Sequence, residues 1–353
     1  MASRNNREKQ KRALEIDSAS MNLLLVILIT VILLLVILAA YLTITLITKE
    51  DALAGLSGDG KDPANNASTE ENYPFNVEGI TVNIPSVNEA KNTISADLLS
   101  STNAILVDVT ANEIVASRQG GQIIYPASMT KVMTLIVVAE NLKSEASLND
   151  VLTINIPRGE HSGYGFEVGE KLTVKDLIYA AILQSDGVAC ITLAEYIAGS
   201  EAAFVKLMNE KAREMGLSQS TTLFQNCSGL HHEYHYSTCH DMAVIMAYAM
   251  KNPFCANVLT SLSYKPSDNF RPGEGCTFWH AFLHNHLSDG NKQPASAEIL
   301  GGKTGWTGKT SGYCIVAYAK GDDGHYYVSV TAKADSWVGN VDDIFKIFNT
   351  YVK

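Results

Sequence analysis

A serine and a lysine three residues apart are the first pair in this chain with the means to perform chemistry. Residues 128–131 read Ser-Met-Thr-Lys. Positions i and i+3 share one face of a helix, so the Ser128 hydroxyl and the Lys131 amine should meet. Burial and a second cation both lower the pKa of a lysine, and a neutral amine can take the serine proton. The pair predicts a serine nucleophile, with Lys131 as general base, for acyl transfer through a covalent intermediate.

Two further short motifs follow downstream. Ser185-Asp186-Gly187 comes after an apolar stretch, and its serine is placed to relay a proton to the leaving amine. Lys303-Thr304-Gly305 reads as strand; its lysine offers a charge for a substrate carboxylate and a second cation near Lys131. Its glycine lets a substrate backbone approach the strand edge. The backbone N–H groups of Ser128 and Trp306 are the predicted oxyanion hole.

Each motif is weak on its own, because Ser-x-x-Lys is expected by chance about once in a chain of this size. Ser128 and Lys131 alone are also compatible with a helix N-cap and a solvated lysine. Here the chain contains a single Ser-x-x-Lys, it follows Pro126, and the other two motifs lie downstream. The joint occurrence favours the catalytic interpretation.

The segments that must position these motifs read as strands at both ends of the body, with helices between them. Strand patterns occupy residues 104–109, 114–116, 299–304, 313–319 and 326–332. Helical spacing is found at residues 128–142, from 173, at 201–215, from 238 and at 341–351. This order predicts an α+β fold, an antiparallel sheet flanked by helices, with an all-helical subdomain.

The sequence around the motifs resembles the D-alanyl-D-alanine carboxypeptidase family, the low-molecular-mass penicillin-binding proteins. The similar segments are residues 125–131, 168–177, 216–217, 229–230, 235–238, 241–243 and 302–307. The resemblance runs from about residue 95 to the C-terminus. It implies a β-lactamase/transpeptidase-like fold. It also implies release of the terminal D-alanine from peptidoglycan pentapeptide stems through an acyl-enzyme, with β-lactam antibiotics as covalent inhibitors.

The same resemblance assigns roles to individual residues. The resemblance implies that Ser128 is the nucleophile, Lys131 the base and Ser185 the proton relay. Lys303 and Thr304 would form the site for the substrate carboxylate. One departure concerns the second motif, which usually ends in asparagine and here ends in Gly187. The amide that would contact the substrate or Lys131 is missing. This bears on efficiency and β-lactam affinity more than on the class of reaction.

The N-terminal region predicts a membrane anchor. Residues 21–47 are uncharged and longer than the ~20 residues that cross a bilayer. The basic tail at 1–20 places the N-terminus in the cytoplasm and the body outside the cell membrane. Residues 48–94 are predicted to be a flexible linker, and 95–353 the catalytic domain. A signal peptide cleaved near 52–54 is the alternative, but the uncharged run at 21–47 is far longer than the ~7–15 apolar residues of a signal peptide.

Charge, histidines and cysteines limit the possible partners. A formal net charge of −10 argues against nucleic acid. The predicted chemistry needs no cofactor or metal; the histidines at 231–240 and at 280–286 lack zinc-motif spacing and are read as polar loops. Cys227 and Cys239 lie in loop-like sequence and are the better disulfide candidates. Cys190 and Cys314 lie in apolar runs and are also compatible with buried thiols.

Two alternative functions remain open at this point. A β-lactamase shares the acylation groups and adds a carboxylate that activates water. The glutamates in a plausible region for that carboxylate are Glu160, Glu167 and Glu170. The other alternative is a catalytically weak protein that only binds wall peptides, and Gly187 is the one feature that favours it.

Overall fold

The computed structural model describes residues 77, 79–284, 293–308 and 310–353. The expected basic tail, the expected membrane span and most of the expected linker lie outside the described residues. The α-helices of the described part are α1 (Lys131–Asn141), α2 (Val174–Leu183), α3 (Gly187–Ala198), α4 (Glu201–Glu214), α5 (Cys239–Lys251), α6 (Pro253–Thr260) and α7 (Trp337–Tyr351). Short 3₁₀ turns occupy Val87–Glu89, Ala127–Thr130 and Glu145–Asn149.

Six strands form the main sheet, and three two-stranded ladders lie outside it. The sheet strands are β1 (Asn92–Thr93), β2 (Asn103–Asp108), β3 (Glu113–Arg118), β10 (Ala297–Gly305), β11 (Tyr313–Gly321) and β12 (Tyr326–Ala334). The paired short strands are β4 (Ile123–Ile124) with β7 (Ser237–Thr238), β5 (Val151–Thr153) with β6 (Lys171–Thr173), and β8 (Ser263–Tyr264) with β9 (Phe278–Trp279).

The main sheet runs in the order β1-β3-β2-β12-β11-β10. All neighbours are antiparallel except β1, which pairs with β3 in parallel. The expectation of a purely antiparallel sheet is therefore wrong at one edge. There the two-residue strand β1, which precedes the β2–β3 hairpin, pairs in parallel with β3. At the other edge lies β10, the strand that carries the third motif.

The two faces of the sheet are covered by different helices. Side chains alternate along a strand, so neighbouring residues of β2 contribute to separate cores. Ile105 and Val107 pack with helices α1 to α6, whereas Ala104 and Leu106 pack with the C-terminal helix α7. The predicted sheet flanked by helices, with a helical region inserted between its strands, is confirmed at this level.

Element boundaries differ from the sequence expectations in a few places. Helices α3 and α6 were not expected, and α7 begins at Trp337 rather than at residue 341. Residues 80–93 pack against the domain: Ile80, Val82 and Ile84 contact the core, and β1 joins the sheet. These residues, which the sequence assigns to the linker, thus pack as part of the domain.

Membrane-spanning capacity was searched within the described residues. No single helix there is long and apolar enough to cross a bilayer. Helices α3 and α4, bent by 85° at their junction, satisfy the length and composition requirement only as a pair.

Helix α2 leads into the second motif and is fixed by one buried carboxylate. Asp176 accepts from the Thr173 N–H (2.8 Å), closing a capping box at the start of the helix. It also accepts from the Tyr264 hydroxyl (2.9 Å) and from the Ser267 N–H and hydroxyl (2.9 and 2.6 Å). One side chain thus joins the helix start to the β8 region.

We expect Asp176→Ala to lower the free energy of unfolding by about 3 kcal/mol, because it leaves several buried donors unpaired. Lys175→Ala is the matched control: its side chain is exposed on the adjacent position of the same helix. Urea unfolding of both variants measures the difference. A loss for Asp176→Ala no greater than that of the control would contradict this role.

Candidate active site

Ser128 and Lys131 meet as their spacing predicted. Ser128 lies in the 3₁₀ turn that leads into α1, and Lys131 is the first residue of that helix. The two polar atoms, Lys131 Nζ and Ser128 Oγ, are 2.8 Å apart. Lys131 Nζ also donates to the Ser228 carbonyl at 2.6 Å. A neutral amine can use an N–H for the carbonyl and keep its lone pair for the serine proton.

Burial makes the charged form of both site lysines unfavourable. Lys131 and Lys303 are each 1% exposed. Burial lowers the pKa of Lys131 from its ordinary 10.5, while the nearby Cys190 and Asp186 raise it in part. Burial also lowers the pKa of Lys303, to about 7, and the charge of Lys131 acts in the same direction. Two simultaneous charges on this pair of lysines are therefore unfavourable.

The loop at 226–229 packs against the turn that carries Ser128. Gly229 has a φ of +84°, and a methyl group there would lie 1.9 Å from the Ala127 carbonyl oxygen. Its N–H donates to Asn226 Oδ1 at 2.7 Å. Ala127 itself has a φ of +46°, a left-handed conformation that is costly for a residue with a Cβ. This close contact between two backbone segments fixes the position of Ser128. It also fixes the position of the Ser228 carbonyl, which accepts from Lys131 Nζ.

A buried histidine fixes the same turn from the side. Thr130 Oγ1 lies 2.8 Å from His235 Nε2, and His235 Nδ1 accepts from the Gln225 N–H at 3.2 Å. Burial lowers the pKa of His235 to about 3, so the ring is neutral and its Nε2–H donates to Thr130. His235 lies in a loop as expected, although its side chain is only 2% exposed. His280 also lies in a loop and is 1% exposed. His240 is the second residue of α5, so its assignment to a loop is wrong.

The second motif occupies the tight connection between α2 and α3. Ser185 has a φ of +57°, a strained conformation that is often found where function fixes a side chain. Ser185 Oγ accepts from Lys303 Nζ at 2.9 Å. Asp186 caps α3 through the Ala189 N–H (2.8 Å) and is 1% exposed. Ser185 is thereby joined directly to the third motif.

The third motif lies on the edge strand β10, beside the nucleophile. Lys303 Nζ donates to the Thr304 carbonyl at 2.9 Å as well as to Ser185. Gly305 lies so close to the turn that a methyl group there would be 2.9 Å from Ser128 N. Trp306 follows the strand and is 50% exposed. The outer edge of β10 has no strand partner in the described sheet, so a peptide can pair with it.

The cysteines do not form the expected disulfides. All six are free thiols, and Cys227 and Cys239 are both buried, so their candidacy is wrong. Cys227 Sγ lies 3.2 Å from Glu201 Oε1 instead. Burial raises the pKa of Cys190 and of Cys314 to about 12, which leaves both thiols protonated and inert.

Of the glutamates considered for a β-lactamase, Glu170 is engaged in other interactions. It accepts from Arg271 Nε at 2.6 Å and from the Glu167 N–H at 2.8 Å. Both of its oxygens therefore have partners away from Ser128. The geometry gives no support to Glu170 as a group that activates water at Ser128.

Comparison with known proteins places this site in a family. A sequence profile of the D-alanyl-D-alanine carboxypeptidases (peptidase family S11) matches residues 90–336. The chain is 31% identical over 221 residues to D-alanyl-D-alanine carboxypeptidase DacF of Bacillus subtilis, covering 62% of this chain and 54% of that protein. It is 34% identical over 170 residues to DacC of Escherichia coli, covering 46% and 42%. The matches thus span about half of these relatives' lengths.

Solved structures share the fold. Penicillin-binding protein 5 of Haemophilus influenzae aligns with a TM-score of 0.63 at 25% identity, covering 73% of this chain and 72% of that chain. The S96A mutant of the Streptomyces K15 DD-transpeptidase aligns with a TM-score of 0.62 at 24% identity, covering 71% and 97%. The transpeptidase-like fold implied by the sequence is confirmed.

We expect Gly229→Ala to reduce the rate of Ser128 acylation by a penicillin at least about tenfold, because a methyl group displaces the turn that carries the nucleophile. Gly216→Ala is the matched control: Gly216 also has a positive φ (+80°), yet a methyl group there meets nothing within 4 Å. Both variants carry similar backbone strain, so equal acylation rates in the two would refute the steric argument. Intact-mass spectrometry at fixed times measures the adduct.

Proposed function

Since the chain belongs to the D-alanyl-D-alanine carboxypeptidase family, we propose that it is a serine D-Ala-D-Ala carboxypeptidase of peptidoglycan. Its substrate is a pentapeptide stem, from which it removes the terminal D-alanine. The observation that carries the proposal is the 2.8 Å approach of a buried lysine amine to the Ser128 hydroxyl. No cofactor enters the reaction.

Acylation begins with the neutral Lys131 amine. It takes the proton of Ser128, and Oγ forms a bond to the carbonyl carbon of the penultimate D-alanine. The resulting oxyanion is held by the backbone N–H groups of Ser128 and Trp306, a contribution of about 2.7–4 kcal/mol per donor. Ser128 N lies beside Gly305, so the substrate carbonyl reaches it along the edge of β10.

Loss of the terminal D-alanine requires a proton on its nitrogen. We assign to Ser185 the relay of that proton from Lys131. Its Oγ is hydrogen-bonded to Lys303 of the third motif, which supports this role. The C–N bond breaks and leaves an ester at Ser128. Lys303, with Thr304, binds the carboxylate of the departing D-alanine. Water then attacks the ester, with Lys131 again as base, and frees Ser128.

The setting of the reaction is also part of the proposal. Residues 21–47 would anchor the chain in the cell membrane, with the catalytic domain on the outer side where peptidoglycan stems are found. The length and apolar composition of that segment support this placement. β-Lactams, whose strained amide mimics the acyl donor, would acylate Ser128 and inhibit the enzyme.

We expect Ser128→Ala to abolish both the adduct with a fluorescent penicillin and D-Ala release, by at least about 1,000-fold. The thermal midpoint should be kept, since only one hydroxyl is removed. Ser220→Ala, at an exposed serine, is the control and should match wild type. An adduct on Ser128→Ala would exclude Ser128 as nucleophile. A wild-type protein without adduct or D-Ala release would favour the peptide-binding alternative.

The pH dependence of kcat/KM follows from the two lysines. Lys131 acts as a neutral base, so activity falls on acidification through its depressed pKa. Lys303 binds a carboxylate only when protonated, and its pKa is about 7, so kcat/KM should also fall above about pH 7. A substrate with a C-terminal amide has no carboxylate for Lys303 to bind, so its kcat/KM should not show this fall above about pH 7. The same alkaline limb for both substrates would remove Lys303 from carboxylate binding.

A further inference from the structure

The position left empty by Gly187 is filled by a residue from another segment. Gly187 is the first residue of α3, and a methyl group on it would lie 2.9 Å from both His161 Cβ and His161 Nδ1. Real Cβ atoms do not approach so closely. The imidazole of His161 therefore stands in the volume that a side chain at position 187 would take.

Backbone hydrogen bonds fix His161 in this position. Ser162, the next residue, accepts from the Gly187 N–H at 2.9 Å, and its hydroxyl donates to the Ser185 carbonyl at 3.3 Å. The Tyr164 N–H donates to Asp186 Oδ2 at 2.8 Å. Each residue of the second motif is thus tied to the loop that carries His161.

The imidazole lies beside the second motif. Gly187, which it packs against, is two residues from Ser185, and Ser185 Oγ accepts from Lys303 Nζ at 2.9 Å. His161 Nδ1 is buried and has no hydrogen-bond partner among the described residues, whereas the residue as a whole is half-buried. A ligand therefore reaches the ring through its other nitrogen, Nε2, and not through Nδ1.

We propose that His161 is a substrate-binding residue that supplies, from the neighbouring loop, the polar group that the second motif lacks at Gly187. Its Nε2 pairs with a backbone peptide group of the stem on the acyl side of the scissile bond. An imidazole nitrogen can accept from an N–H or donate to a carbonyl, according to its tautomer. The inference rests on the proposed carboxypeptidase function and names a further contact for that substrate.

A pair of substitutions at position 161 separates binding from packing. His161→Phe keeps the ring volume against Gly187 but has no nitrogen, and His161→Gln keeps a polar group. We expect His161→Phe to lower kcat/KM for D-Ala release and the rate of penicillin acylation by about 10- to 100-fold. His161→Gln should stay within about fivefold of wild type. Val168→Ala, at a side chain 61% exposed in the same connection, is the control.

A reciprocal exchange tests the shared volume. Gly187→Asn alone should lose activity, because its side chain collides with His161. The double variant His161→Ala/Gly187→Asn, in which an amide occupies the vacated space, should recover to within about fivefold of wild type. All rates are measured on the full chain, with thermal midpoints recorded alongside.

Three results would overturn the inference while leaving the enzyme assignment intact. They are wild-type rates in His161→Phe, equal losses in His161→Phe and His161→Gln, or a double variant whose loss equals the product of the two single losses. A wild-type chain that neither releases D-Ala nor forms a penicillin adduct would instead overturn the proposed function.

Discussion

An uncharged amine held against a serine hydroxyl is the interaction on which the site depends. A solvated lysine is protonated at neutral pH and takes no proton from Ser128. Burial removes the water that would stabilise the charge of Lys131, and the nearby Lys303 makes a second charge in the same pocket unfavourable. The surrounding fold is organised to keep this pocket dry and this distance short.

The scaffold achieves that with segments far apart in sequence. The turn that carries Ser128 lies between the loop that contains Gly229 and the edge strand that contains Gly305. A methyl group at either glycine would collide with the backbone of this turn. His235 donates to the same turn from a third segment. The second motif adds Ser185, in a strained conformation, bonded to Lys303. Glycines thus permit close contact, and neutral polar groups fix the geometry.

The parts that could be predicted from sequence are local or periodic. The contact between Ser128 and Lys131 follows from helical spacing alone, and β2 and β3 follow from two runs of strand-favouring residues separated by a turn. Helix α3 was missed because its buried residues surround the axis, so no amphipathic period marks it. His235 and His161 were missed because no spacing in the chain relates a loop histidine to a distant turn or glycine. The thiols of Cys227 and Cys239 were misread because polar neighbours in sequence conceal burial in the fold.

The protonation state of the Lys131 amine can be observed directly. Full-length protein with ¹⁵N-labelled lysine side chains can be titrated by NMR, with the Lys131 signal assigned by its loss in Lys131→Arg. We expect Lys131 Nζ to lose its proton well below the ordinary lysine pKa of 10.5. A Lys131 amine that remains charged up to about pH 10.5 would contradict it.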